Sequence, residues 1–183
     1  QDIVKFSLGS SGSLAISDRE YFFSEAYQGI VFEGDLKITS KFKGKSLLEL
    51  PFRMAVVTGI FDCSGLEIED LRGCPQNVQT IDASSCSLKS LRGCPKMVGN
   101  LNVEDNIISS LAEGPDFVFG KFILRDNILR DLDNGPLLID GEIGLLANPK
   151  IQKQGIGVLF DKMHKDIRSN YGSGSWKNIE GEV

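Results

Sequence analysis

A glycine standing two residues before a pair of alternately spaced apolar side chains returns at nearly constant intervals along this chain. The copies read Gly34-Asp-Leu36-Lys-Ile38, Gly59-Ile-Phe61-Asp-Cys63, Gly99-Asn-Leu101-Asn-Val103, Gly120-Lys-Phe122-Ile-Leu124 and Gly141-Glu-Ile143-Gly-Leu145. Gln79-Thr-Ile81-Asp-Ala83 is a further copy without the glycine, and from Phe61 onward the anchors advance by 20, 20, 21 and 21 residues. Self-similarity at this period constrains the fold more than composition can. Each unit is too short to bury its own apolar face and must stack on its neighbours.

With units numbered from the residue before that glycine, the anchors occupy positions 4 and 6, and the rest of the unit lines up as well. Position 9 holds Cys86, Asn106, Asn127 and Asn148, with Leu66 as the exception, and position 11 holds Ile68, Leu88, Ile108 and Leu129. Position 14 holds Leu71, Leu91, Leu111 and Leu132; position 18 holds Pro75, Pro95, Pro115 and Pro136. A strand alternates its side chains, so positions 4 and 6 point inward, positions 3, 5 and 7 face outward, and stacking makes a parallel sheet. The position-9 side chain follows the strand where the chain turns in. An amide there can satisfy backbone groups that would otherwise be buried unpaired at about 1 to 3 kcal/mol each. Leu66 in that place predicts an irregular first full unit. The Gly-Cys-Pro and Glu-Gly-Pro segments supply turns and stop helices, which predicts irregular or short 3-10 returns.

Together these positions spell L-x-x-L-x-L-x-x-N/C-x-L with a proline-marked return, and residues 58–153 resemble a short-period leucine-rich repeat. The period is similar to that of type III secreted bacterial effectors. The phrase Gly93-Cys-Pro95-Lys-Met-Val-Gly99-Asn-Leu-Asn-Val103 resembles repeat proteins of tailed-phage and giant-virus genomes. The expected fold is an α/β-type, mainly β solenoid with one parallel sheet of about five or six strands. The resemblance implies a protein that engages and modulates a host enzyme or defence component inside the cell.

A stack of repeats must hide its open ends, because an uncovered strand edge is a template for association. Residues 1–57 are expected to form an N-terminal β cap with a degenerate first repeat: the Gly34 copy is present, but Lys41 and Lys43 fall where Asn and Leu belong. Ile3 to Leu8, Leu14 to Ile16 and Tyr21 to Phe32 predict two or three short strands around Gly-Ser turns. Residues 58–153 form the solenoid. Over 154–170, Ile156, Leu159, Phe160, Met163 and Ile167 share one helical face against Asp161, Lys162, Lys165, Asp166 and Arg168, which predicts a C-terminal capping helix. Residues 171–183, with Trp176, are expected to be a flexible tail.

Charge and composition narrow the function. The chain of 183 residues has a net charge of −5, with 7 basic and 7 acidic side chains in residues 1–57, 4 and 4 in 154–183, and 9 and 14 in between. The acidic excess belongs to the solenoid, which disfavours nucleic acid as a ligand and favours a basic protein partner. No run of 18 apolar residues is present, so no membrane span is expected. Residues 1–30 lack the layout of a signal peptide, so a cytoplasmic protein is expected.

Cys63 and Cys86 fall on inward or turn-ladder positions, where small buried thiols are expected. Cys74 and Cys94 share position 17, where stacking could bring their Cα atoms to roughly 5 Å, within reach of a disulfide. Reduced thiols, a disulfide and a zinc site are the alternatives, and no Cys-x-x-Cys or histidine partner supports zinc. His164 is the only histidine, so no nucleophile-base pair or ligand set forms, and no phosphate-binding G-x-x-x-x-G-K-[ST] loop appears. The expectation is a non-enzyme without cofactor or metal. The outward positions form the candidate partner-binding surface: Asp62, Asp82, Asn102 and Glu104 on its acidic part, then Lys121, Ile123 and Arg125 where it turns basic and apolar. The alternatives to a protein-binding module are a structural or virion-assembly component and the substrate-recognition part of a larger effector.

Overall fold

The computed structural model describes residues 4–7, 13–16, 21–38, 44–50, 52–154 and 179–180. Strands β1 (Val4–Ser7) and β2 (Ser13–Ile16) form an antiparallel pair, and β3 (Tyr21–Ser24) pairs antiparallel with β4 (Gly29–Phe32). From β4 onward all pairing is parallel. The repeats contribute β5 (Leu36–Lys37), β6 (Met54–Asp62), β7 (Asn77–Asp82), β8 (Met97–Val98), β9 (Asn100–Asn102), β10 (Phe117–Val118), β11 (Phe122–Ile123), β12 (Leu138–Ile139) and β13 (Ile143–Gly144). Among the described residues these make a mainly β, parallel-sheet solenoid of about five turns with little helix.

The larger sheet runs β13-β11-β9-β7-β6-β4-β3, with β5 beside β6. Leu36 pairs with Phe61, Phe61 with Ile81, Ile81 with Leu101, Leu101 with Phe122 and Phe122 with Ile143, so the anchors stack in one inward column. Phe61, Ile81, Leu101, Phe122 and Ile143 are fully buried, as are Cys63, Ala83, Val103, Leu124 and Leu145 two residues on. The Gly34 copy therefore joins the stack in register despite the loss of the pattern after it.

A second, shorter parallel sheet runs β8-β10-β12 along the return side, with Val98, Val118 and Ile139 turned into the core. The period in sequence announced only one sheet, because these strands are two residues each and end one or two residues before the glycine. The bend between the two sheets explains the drift of the period. From anchor to proline each unit spans 14 residues (Phe61 to Pro75, Ile81 to Pro95, Leu101 to Pro115, Phe122 to Pro136), whereas from proline to the next anchor the count is 6, 6, 7 and 7. The added residues are Phe119 and Asp140, which lengthen the corner from one residue to two.

The corner is where glycine is required. At Gly141 a Cβ would lie 2.2 Å from the Gly120 carbonyl oxygen, and at Gly99 it would lie 2.4 Å from that of Gln79, so successive turns touch through their backbones there. A different demand recurs at position 8, where Gly65, Ser85, Asp105, Asp126 and Ala147 all have φ between 52° and 74°. Position 16 repeats it with Gly73, Gly93, Glu113 and Asn134. There the amides of Cys74, Cys94, Gly114 and Gly135 donate back to Leu71, Leu91, Leu111 and Leu132, closing the turns with the left-handed third residue that a type II turn needs.

Helix α1 (Pro149–Gln154) opens on a proline, which needs no amide partner at a first helical position, and buries Ile151. The capping helix expected over 154–170 lies outside the described residues apart from Gln154. Within the segment expected as a tail, β14 (Ile179–Glu180) pairs in parallel with β13 and gives that strand a neighbour on its outer edge.

Candidate functional site

The outward side chains of the larger sheet form rows, since neighbouring parallel strands lie about 4.8 Å apart and stay in register. The central row is Lys37, Asp62, Asp82, Asn102, Ile123 and Gly144. Ile60, Thr80 and Asn100 pair in register on one side of it, with Lys121 and Glu142 directly before the next two anchors; Ser64, Ser84, Glu104, Arg125 and Leu146 follow on the other side. All seven candidate residues share this face. Six are half-buried and Lys121 is exposed.

Much of the face is engaged in holding the turns together. Asp62 accepts from the Ser64 amide at 3.0 Å and its hydroxyl at 2.6 Å, and Asp82 repeats this with Ser84 at 3.1 and 2.7 Å. Asn102 accepts from the Glu104 amide at 3.1 Å in the same way. These Asx-type turns end the strands and fix the carboxylates in place. Across turns, Asn100 donates to Thr80 Oγ1 at 3.0 Å and accepts from the Lys121 amide at 2.9 Å, and Lys121 Nζ meets Glu142 at 3.1 Å.

Lys37 is the residue that the outward positions of the five later copies leave out. Its Nζ sits 2.5 Å from Asp62 Oδ2. Burial works to raise the Asp62 carboxyl, but the bonds from Lys37 and Ser64 outweigh it and hold it below the usual carboxylate range. Lys37 is raised in turn, first by the hydrogen bond and then by the charge of Asp62. Continuing the outward position into Gly34-Asp-Leu36-Lys-Ile38 would have placed Lys37 in this row. With Asp62 neutralised, the acidic character of the face rests on Asp82, Glu104, Asp105 and Asp126.

Other places offer less. A groove of about 490 Å³ on the return side is lined by Lys45, Glu49, Glu67, Glu69, Lys89 and Ile107, but Glu69 is tied to Lys89 at 2.8 Å and Glu49 to the Lys45 amide at 2.8 Å. All four cysteines are free and buried. Burial pushes the Cys94 thiol up to about 12 and raises Cys74 well above its ordinary range. Among the described residues no group of three or more His, Cys, Asp or Glu is arranged to hold a metal, and no helix is long and apolar enough to cross a membrane.

Compared with family models, with curated proteins and with solved structures, the chain finds no match in any of the three.

Proposed function

We propose that this chain is a protein-binding module that presents the outer face of its larger sheet to a partner, and that it carries no catalytic activity, cofactor or metal of its own. The supporting observation is the alignment of Asp82, Asn102, Glu104, Lys121, Ile123 and Arg125 on one face of a frame whose buried polar groups are used internally. The face passes from acidic to basic and apolar along the stack. That gradient suits a protein surface with a basic patch beside an apolar one, and it disfavours a nucleic acid. The leucine-rich repeat resemblance extends this to a phage- or pathogen-encoded modulator or inhibitor of a host enzyme or defence component, acting in the host cytoplasm.

A photo-crosslinking amino acid placed at Ile123 and, as a control, at Lys89 on the return side tests the reading in lysate of the native host. Capture of a defined protein from Ile123 alone is the expected result, and an intact enzyme as the captured protein supports the modulator. Equal capture from both sites, or from neither, removes the face from consideration. A second reading, an assembly component held through the N-terminal strands, rests on Phe23 and Tyr27, which are 65% and 53% exposed beside β3.

A further inference from the structure

The return that ends at Pro136 carries Asn134-Gly135 at positions 16 and 17, where the earlier returns have Gly73-Cys74, Gly93-Cys94 and Glu113-Gly114. Asn134 is exposed and left-handed at φ 59°, a conformation that asparagine adopts more readily than most residues. The backbone bond that closes its turn is the longest of the column. Position-17 amides donate to position-14 carbonyls at 2.9 Å from Cys74, 3.0 Å from Cys94, 3.2 Å from Gly114 and 3.3 Å from Gly135. A bond of that length at the surface opens locally at little cost, which frees the Gly135 nitrogen. Among the described residues no hydrogen bond holds the Asn134 side chain, whereas Asn106, Asn127 and Asn148 are buried and bonded.

We propose that Asn134 is a modification site, deamidated without an enzyme when the Gly135 backbone nitrogen attacks its side-chain carbonyl carbon. The nitrogen gives up its proton to hydroxide and bonds to Cγ, the Cγ–Nδ2 bond breaks, and ammonia leaves with a proton taken from water. A cyclic imide remains, and water adds to either of its carbonyls to leave aspartate or isoaspartate at 134. The net change consumes one water and releases one ammonia. Glycine keeps the attack open, because no side chain stands beside its nitrogen. Every other asparagine of the chain precedes Val, Leu, Ile, Tyr or Pro, and Pro149 after Asn148 has no N–H to lose. Both products add a negative charge next to Asp133, and isoaspartate also adds one carbon to the main chain within the turn. The site lies on the return side, so it is separate from the face of the larger sheet.

Incubation of the full chain at pH 6 and at pH 8, followed by digestion at acidic pH and tandem mass spectrometry, tests this. The expected result is the mass gain of an amide turned to an acid, located at residue 134, at least tenfold faster at pH 8 and ahead of every other asparagine. Gly135→Ala, which gives position 17 a side chain as Cys74 and Cys94 do, should slow the gain at least tenfold. Asn134→Gly, which matches Gly73 and Gly93, should abolish it in that peptide, with circular dichroism confirming the fold of each variant. No gain at residue 134 over a time in which a free Asp-Asn-Gly-Pro peptide deamidates, a gain unchanged by Gly135→Ala, or a faster gain at another asparagine overturns the proposal.

Discussion

The side-chain amide of Asn106 reaches back across one turn of the solenoid and donates to the carbonyl of Ala83 at 3.0 Å. Its oxygen accepts from the amides of Cys86 at 3.0 Å and Leu88 at 2.8 Å, so one buried residue closes the turn before its own. Asn127 donates to Val103 at 2.9 Å and Asn148 to Leu124 at 2.9 Å in the same manner. Asn106→Ala leaves several buried backbone groups without partners and should cost about 3 kcal/mol or more. Asn106→Cys should cost less, because the Cys86 thiol makes the matching bond to Cys63 at 3.0 Å. Urea denaturation of the two variants beside wild type checks the order.

The left-handed column gives a paired test of backbone strain. Gly65 has φ 74° with nothing within 4 Å of a Cβ built on it, so Gly65→Ala isolates the conformational cost and should destabilise by about 1 kcal/mol. Ala147 holds the equivalent place at φ 57° with the wrong residue. Ala147→Gly should stabilise by about 0.5 to 1 kcal/mol in the same denaturation experiment.

At the corner the obstacle is contact. Gly141→Ala brings a Cβ to 2.2 Å from the Gly120 carbonyl oxygen, backbone against backbone, which cannot be relieved by turning a side chain. The expected loss is about 2 kcal/mol or more, larger than at Gly65 although φ at Gly141 is ordinary. Thermal unfolding of the two alanine variants compares them directly.

Alkaline pH should unfold this protein through its thiols. An unfolded cysteine titrates near 9.0, while burial holds Cys94 at about 12 and Cys74 well above 9.0. A raised folded-state value means the stability is intact below pH 9 and is lost as pH climbs toward 12, because the unfolded chain releases protons that the folded chain keeps. The expected slope is about 1.4 kcal/mol per pH unit for each such thiol. Cys94→Ala should flatten the stability profile above pH 9 by one thiol's share, whatever it costs at neutral pH.

How much of this was legible in the sequence depended on period. Phe61, Ile81, Leu101 and Leu71 declared their burial by spacing, and Asn106 its role by standing where a strand turns in. The shorter sheet was hidden because Met97–Val98 and its equivalents are too short to show alternation, although the constant count from anchor to proline and the varying count from proline to anchor already located the corner. The seven candidate face residues came together as their positions required. What spacing alone did not convey was that Asp62, Asp82 and Asn102 also hold their own turns, since Asp-x-Ser reads equally well as an exposed pair, and that Lys37 neutralises the first of them.

The outer face of the larger sheet is proposed to recognise a protein through charge and apolar contact beyond its role in the turns. Affinity capture from native host lysate with wild type and with E104K/I123E, quantified by mass spectrometry, tests it most directly, since neither side chain makes a turn bond of the kind that Asp62 and Asp82 make. The expected result is a partner held by wild type and lost from E104K/I123E while the variant's unfolding midpoint is unchanged. Capture of the same partner in the same amount by both proteins would contradict the account.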